Sequence, residues 1–554
     1  MRTETQSPQG LRVRAIAGTY VVLLAWNCDA AYCKGLLGFG ILRTDHTNDE
    51  RMWLRGLKKF DLPQSDEGDS VTTRRHPIQK FHWGDYTTKA GRRYTYEVHA
   101  LRGTAADLAS ADSATLEVRC EDPDHVGTNG HAVHFNRSAA ASQAFANRFA
   151  SLPPGEVTDP AARTWLSRGL EEALVAFIDQ AQPGEGLHLF LYEFDKREFA
   201  RGLKAAQGRG VRLEILHDAI LDRNGKGPSV KADPLLVEFG LDAVARGRNG
   251  AGIGISHNKF MVRTDVDGVP RAVWTGSTNF SDAAIYAQSN VGHAIVGVEP
   301  ATTYFTWHQT VWNHPDLTVS KTRTQAMALS PLPVASAAAT GTSVVFSPRE
   351  TVGAISLCAS LILSAEKMVC FTAPFALHDA IEAALIGAPA QVFGLLNKRG
   401  VVEPALYAAP NTSLAAAGAL NERSVLEAWQ DKMLREVRAE SLHHSGVFIH
   451  TKLILVDPLS DQPRVITGSA NFSNNSSRNN DENQLFIFTE TAVADVYIGE
   501  FMRMFDHYYY RDHVKAAKAE AVVDPRAVFL DPTDGWTRRY FGGGEREAQR
   551  LAFF

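Results

Sequence analysis

Cysteine is scarce in this chain: five in 554 residues, at Cys28, Cys33, Cys120, Cys358 and Cys370, none in a CxxC pair. That excludes a disulfide framework. With no second ligand pair near Cys28 and Cys33 it also gives no zinc pattern, so buried free thiols are expected. An excess of positive charge is missing too. Lys and Arg number 57 against 62 Asp and Glu, a formal charge of −5. No overall basic field is available to hold a nucleic acid, which leaves only a local basic groove for that role. Long apolar runs are absent. No window reaches the roughly 18 consecutive apolar residues of a membrane span, and the nearest, Ala354 to Leu363, ends at Ser364-Ala-Glu366-Lys367. Met1-Arg-Thr-Glu-Thr-Gln-Ser-Pro carries no apolar signal core. The expectation is a cytoplasmic protein, with signal-independent export as the other route. What is present is a globular composition, 44% hydrophobic and 21% charged, in a chain long enough for roughly two to four domains.

Residues 1–120 read as short strands between turns, among them Tyr20 to Trp26, Leu37 to Leu42 and Tyr94 to Ala100. Tyr94, Tyr96, Val98 and Ala100 alternate onto one face. That spacing predicts an antiparallel β-sandwich, and the Trp26 and Tyr-x-Tyr-x-Val-x-Ala strands resemble a fibronectin type III or immunoglobulin-like module. Residues 121–180 read as a connecting segment, with Phe135-Asn136-Arg137 leading to a helix from Ala139 to Phe149 that Ser138 caps. Two similar blocks follow, 181–335 and 345–510. In the first, strand Leu187 to Glu193, an apolar stripe of Phe199, Leu203 and Ala206, and strand Val211 to Leu216 succeed one another. In the second the same order is Met368 to Ala373, then Leu377, Ile381 and Leu385, then Gln391 to Leu396. The βαβ alternation implies α/β halves with mixed sheets flanked by helices. An Ala/Ser/Pro/Thr stretch from Leu329 to Ser343 reads as the linker, and residues 511–554 as a tail ending in a mobile Gly542-Gly-Gly segment.

The chemistry is concentrated in a repeated pattern. His257-Asn-Lys259 is followed by Gly276-Ser277-Thr-Asn279-Phe-Ser, and His450-Thr-Lys452 by Gly468-Ser469-Ala-Asn471-Phe-Ser. On a strand, positions i and i+2 share a face, so each His enters a pocket together with a Lys. Imidazole suits both nucleophile and acid near neutral pH. Lysine supplies fixed positive charge, Ser277, Asn279, Ser469 and Asn471 supply phosphate donors, and Gly lets the backbone approach closely. Two copies around one phosphate allow one His to attack phosphorus and the other to protonate the leaving alkoxide, with hydrolysis of a phosphohistidine to follow. No carboxylate cluster surrounds these motifs as a two-metal site would require, so the expected chemistry uses no metal and no cofactor.

His-x-Lys-x4-Asp with a downstream Gly-Ser-x-Asn resembles the signature of the phospholipase D superfamily. The resemblance implies two halves meeting at a pseudo-twofold interface, with all catalytic groups in one chain and no oligomer required. The second copy matches fully through His450, Lys452 and Asp457, and Glu482 in Asn480-Asp-Glu-Asn483 is implied to orient His450. In the first copy Thr264 stands where the Asp is expected, and Gln288-Ser289-Asn290 offers no acid, so Asp265 and Asp282 become the candidate orienting carboxylates for His257. By analogy His257 is the nucleophile and His450 the acid and base. His217-Asp218 and Asn397-Lys398-Arg399, at equivalent strand ends, are candidate pocket residues, and His443-His444 reads as solvent-facing.

The leading expectation is a hydrolase that removes the head group of a phospholipid such as phosphatidylcholine, giving phosphatidic acid, with contact to a membrane surface. The alternatives are a nuclease of the same superfamily acting on DNA or RNA, and a catalytically weak binding protein. Transfer to an alcohol in place of water would use the same intermediate.

Overall fold

The computed structural model of the protein describes residues 1–56, 58–61, 71–137, 149, 159–336, 339–417, 449–519 and 529–554. Ser138, His443-His444 and all but Phe149 of the helix expected after Ser138 lie outside them. No helix among the described residues is long and apolar enough to cross a membrane.

The N-terminal strands form two four-stranded antiparallel sheets. One is ordered Arg2–Gln6, Arg12–Ala17, Val22–Asn27, His82–Asp85, and the other Glu50–Trp53, Leu36–Asp45, Arg93–Thr104, Asp107–Arg119. Tyr94, Tyr96, Val98 and Ala100 point inward in alternation and pack with Trp26, Phe39 and Phe81. The sequence predicts a tail over 511–554 with a mobile Gly542-Gly-Gly segment at its end. The described part of that end instead completes this core. Trp536 and Tyr540 join it, the Trp536 indole donates to the Leu36 carbonyl at 2.9 Å, and Arg550 donates from Nε to the Tyr540 carbonyl. Two large aromatic side chains buried there contribute on the order of 2–3 kcal/mol each, which a sequence window of polar and glycine residues conceals.

Two seven-stranded mixed sheets follow, and they repeat one another strand for strand. The first is ordered Ala245–Arg248, Arg212–Asp218, Gly186–Leu191, Phe260–Thr264, Pro270–Gly276, Val291–Val296, His131–Phe135. The second is Thr412–Ala416, Gln391–Leu396, Met368–Ala373, Ile454–Val456, Arg464–Gly468, Glu482–Phe488, Gly341–Ser347. In each, the first three strands are parallel and the rest antiparallel. Parallel neighbours need a crossover, supplied by helices Arg197–Gly208 and Asp379–Ile386. Phe199, Leu203 and Ala206 of the former and Ile381 and Leu385 of the latter are buried, as their spacing requires. His131–Phe135, read in sequence as part of a connector, is the outermost strand of the first sheet, as Gly341–Ser347 is of the second.

Helices Leu170–Asp179 and Arg197–Gly208 cover the outer face of the first sheet, and Gly353–Leu363 and Asp379–Ile386 that of the second. Between the sheets lie Val298–Asn313 and Thr491–Ala519. Tyr304 and Trp307 of the former and Tyr497, Phe501 and Phe505 of the latter form one core with Phe260, Phe346, Cys370 and Phe393. This shared layer fixes the two units face to face and brings the ends of their central strands together.

Candidate active site

The repeated His and Lys residues meet where the units join. Each motif sits just ahead of a central strand, Phe260–Thr264 or Ile454–Val456, rather than on it. Its entry is pinned by a strand end of its own unit: Asp218 Oδ1 accepts from the Ser256 amide at 2.7 Å, and Asn397 Oδ1 from the Ile449 amide at 3.3 Å. It is then paired with the opposite unit. The His257 amide donates to the Asp481 carbonyl at 2.8 Å and the His450 amide to the Ser289 carbonyl at 3.2 Å. Each motif therefore borrows backbone from the chain that follows the other copy's Gly-Ser-x-Asn.

The side chains cross in the same way. His450 Nδ1 lies 2.8 Å from Asn290 Oδ1. The Asn290 amide donates to the Ala284 carbonyl at 2.9 Å and its oxygen also accepts from the Ser277 hydroxyl at 2.8 Å. That network fixes the amide orientation, so His450 Nδ1 carries the proton and Nε2 is left for chemistry. His257 Nδ1 faces Glu482 Oε1 at 3.4 Å, an ion-pair separation too long and poorly aligned for a formed hydrogen bond. Glu482 is itself held by the Ser476 hydroxyl at 2.6 Å, the Asn480 amide at 2.8 Å and the Asn471 backbone amide at 3.2 Å.

This corrects the sequence expectation that Glu482 orients His450: the acid follows the second motif in the chain but faces the first motif's histidine. Asp282 and Asp265 orient neither. Asp282 is half-exposed and binds Lys196 Nζ at 2.7 Å, and Asp265 pairs with Arg271 in a turn. Asp457 is also outside the pocket. Its carboxylate accepts from the Glu366, Lys367 and Met368 amides at 2.7–2.9 Å, which ties the far end of its strand to the neighbouring one.

Lys259 and Lys452 are buried, and each ammonium donates to the carbonyl of its own motif histidine, at 2.8 and 2.7 Å. Burial lowers Lys259 to about 7, against the opposing pull of Glu482, Glu193 and Asp218. Lys452 is lowered well below the lysine range by burial and then by Lys259. Both histidines are held well below the usual imidazole value, by burial first and then by the two lysines. Burial pushes Glu482 up to about 7. So much suppressed positive charge in one place favours an anion, whose arrival would restore the protonated forms.

The Gly-Ser-x-Asn segments turn out to be architectural at their first two positions. Gly276 and Gly468 have φ of 126° and 134°, and a Cβ there would sit 2.3 Å from the Val291 carbonyl and 2.5 Å from the Asn483 carbonyl. The Ser277 hydroxyl accepts from the Val291 amide at 3.1 Å and the Ser469 hydroxyl from the Asn483 amide at 3.0 Å. Asn279 donates to Glu193 at 2.9 Å, while Asn279 Oδ1 and Asn471 Oδ1 are buried without a partner. His217 lies 3.5 Å from Asp233, and Arg137 stacks on Trp165.

Sequence reasoning missed several neighbours. Tyr192 stacks edge-on against His257 with centroids 4.6 Å apart, and its ring lies 4.8 Å from Lys259 Nζ. Asp481 accepts from Asn258 at 2.7 Å and from the Trp307 indole at 3.1 Å, and Asn483 donates to Asn258 at 2.8 Å. Asn290 stands where the sequence offers no acid, and it serves as the acceptor instead. Its signal was available: it holds the position in the first copy that Glu482 holds in the second.

A family model described as "Cardiolipin synthase, PLD-like domain" matches residues 174–312 and 360–505, just over half of the chain. No curated protein matches. Among solved structures, the phosphatidylserine synthase of Haemophilus influenzae Rd KW20 is similar at 11% identity and TM-score 0.42, over 61% of this chain and 85% of that one. Nuc, a phospholipase D family member from Salmonella typhimurium, is similar at 26% identity and TM-score 0.22, over 26% of this chain and 86% of that one.

Proposed function

The chain belongs to the phospholipase D superfamily, whose members act on phosphodiesters, and we propose that it cleaves a phospholipid on its head-group side through a phosphohistidine. The observation that carries this reading is the crossed placement of the two histidines, with a carboxylate facing His257 across 3.4 Å and an amide hydrogen-bonded to His450. A carboxylate at Nδ1 raises the basicity and nucleophilicity of the opposite nitrogen; a neutral amide orients the ring but leaves its cation more acidic. His257 is therefore the nucleophile. Its Nε2 attacks phosphorus, the bond to the head-group oxygen breaks, and protonated His450 passes its Nε2 proton to that oxygen. His450, now neutral, takes a proton from water, whose oxygen attacks phosphorus and frees His257. Lys259 and Lys452 bear the charge that builds on the non-bridging oxygens. An alcohol in place of water gives transfer by the same two steps.

The walls of the site favour a lipid. Glu193 of the first unit is matched in the second by Phe375, since strands Gly186–Leu191 and Met368–Ala373 and the helices after them keep one register. Phe375 is 45% exposed and offers an apolar contact, while Glu193 offers a carboxylate to a cationic head group and repels a polyanion. We further propose that the N-terminal sandwich is akin to fibronectin type III or immunoglobulin-like modules and contacts the membrane surface. The test offers purified protein in a chelator phosphatidylcholine and phosphatidylethanolamine vesicles beside labelled DNA and RNA. Release of head group that His257→Ala and His450→Ala both abolish is expected. Cleavage of nucleic acid alone would overturn the lipid assignment, and activity surviving both substitutions would overturn the mechanism.

A further inference from the structure

Away from the phosphodiester site, His188, Glu214 and His308 gather around one point, each offering a ligand atom within 4.8 Å of the others. His188 and Glu214 are paired residues of the parallel strands Gly186–Leu191 and Arg212–Asp218, and His308 descends on them from helix Val298–Asn313. His188 Nδ1 is 2.8 Å from Glu214 Oε2, and His308 Nδ1 is 3.6 Å from the same oxygen. We propose that these three side chains bind a late first-row divalent cation of the zinc type, with the fourth position open to solvent.

Three observations converge on this. The first is orientation. His308 Nε2 must donate to the Leu189 carbonyl, 3.2 Å away, so the neutral ring turns its Nδ1 lone pair toward the Glu214 carboxylate. That lone pair and the carboxylate oxygen lie 3.6 Å apart with Gln309 between them, its Nε2 donating to Glu214 Oε2 at 2.5 Å and reaching His308 Nδ1 only at 3.4 Å, so the ring nitrogen keeps a free lone pair beside an anion. His188 Nε2 meets the Thr264 hydroxyl at 3.2 Å. Each imidazole thus has an oxygen at the nitrogen turned away from Glu214, as metal-bound histidines have.

The second is metric. A tetrahedral ion with bonds of about 2.0–2.1 Å places its ligands about 3.4 Å apart, between the 2.8 and 3.6 Å that separate Glu214 Oε2 from the two imidazole nitrogens, with all three ligand atoms within 4.8 Å of one another. Two imidazoles with one carboxylate select zinc, cobalt or nickel over calcium or magnesium. Phe305 packs against His188 and Trp312 stacks on His308, which shields the nitrogens, while the 27% exposure of Glu214 leaves a path for the ion.

The third comes from the duplication, which supplies an internal control. The strand registers place Cys370 where the first unit has His188 and Phe393 where it has Glu214. Phe393 packs on Phe505 of helix Thr491–Ala519, the second unit's counterpart of Val298–Asn313, so the fold itself asks only for apolar packing here. The place of His188's neighbour Thr264 is taken in the second unit by the motif Asp457. The residue at which the first copy departs from the motif is therefore the residue that contacts His188. Bound metal would clamp helix Val298–Asn313 to the sheet, and that helix donates Trp307 to Asp481 and Tyr304 to Asn483 across the interface.

The experiment strips the full-length protein with chelator and titrates it with cobalt(II) and with zinc(II). One equivalent should bind, cobalt should show the intense visible bands of tetrahedral coordination, and zinc should raise Tm. His308→Gln and His188→Gln should weaken binding at least tenfold and remove the Tm rise. X-ray absorption of the zinc-loaded wild-type protein, which does not depend on the variants folding, should show two imidazoles and oxygen ligands. Failure of the wild-type protein to bind a stoichiometric ion, an absorption spectrum without imidazole, or undiminished binding in folded variants would each overturn the site. None of these readouts depends on phosphodiester turnover.

Discussion

Replacing Asn290 by Asp removes the difference in charge between the partners of the two histidines. Asn290 Oδ1 receives His450 Nδ1 at 2.8 Å in a place closed to solvent. A carboxylate there adds a full negative charge opposite a ring that now meets only a dipole. An opposite charge this close raises an imidazole by about 1–3 pH units, equivalent to about 1.4–4 kcal/mol favouring the cation. The substitution also removes the donor to the Ala284 carbonyl at 2.9 Å, at a cost of about 1–3 kcal/mol in stability. A lower Tm is expected for that reason alone. The decisive assay is the pH profile of kcat/KM on a soluble chromogenic phosphodiester. If His450 acts as the acid, activity falls as pH rises through its titration, so Asn290→Asp should move the basic limb upward by about 1–3 units and leave the acidic limb in place. A basic limb that does not move, or a shift confined to the acidic limb, would mean that Asn290 does not act through the proton donor.

Lys452→Met should lower kcat on the order of 10²–10³-fold with little loss of Tm, because the lysine removed is buried and its charge already suppressed; calorimetry beside steady-state kinetics checks both halves. Asp457→Ala should do the reverse. It removes the acceptor of three backbone amides and should cost about 2–3 kcal/mol in urea denaturation, with kcat/KM within about twofold while the protein is folded. Burial pushes Asp481 up to about 6, against the pull of Arg248, Trp307 and Asn258. The folded state therefore keeps a proton that the unfolded chain has released, and this contribution to stability is complete below about pH 4 and lost as pH rises through 6. Relative to wild type, Asp481→Asn should accordingly gain up to about 3 kcal/mol between pH 4 and 7, read from denaturation curves at each pH.

The paired halves were legible because the duplication wrote them twice: Phe199 and Leu203 recur as Ile381 and Leu385, and His257-x-Lys259 as His450-x-Lys452. The crossing was not. Chain order places Glu482 after the second motif, and only the pairing of Ser256 with Asp481 and of Ile449 with Ser289 reveals that each motif is completed by the other copy. Asp457 followed the motif but not the pocket, since a residue five positions beyond Lys452 has already travelled to the far end of a short strand. Strand His131–Phe135 and the packing of Trp536 and Tyr540 escaped because both depend on partners more than a hundred residues away. His188, Glu214 and His308 share no short spacing at all, so no motif could have announced them.

The division of labour between the histidines is open to direct measurement. A radiolabelled nitrophenyl phosphodiester has a leaving group good enough to depart without an acid, so His450→Ala protein should still form the covalent intermediate and then fail to hydrolyse it quickly. Rapid quenching in alkali, followed by peptide mapping, should place the label on His257, with no label in His257→Ala. Label on His450 in His257→Ala protein, or no covalent label in either, would contradict the account.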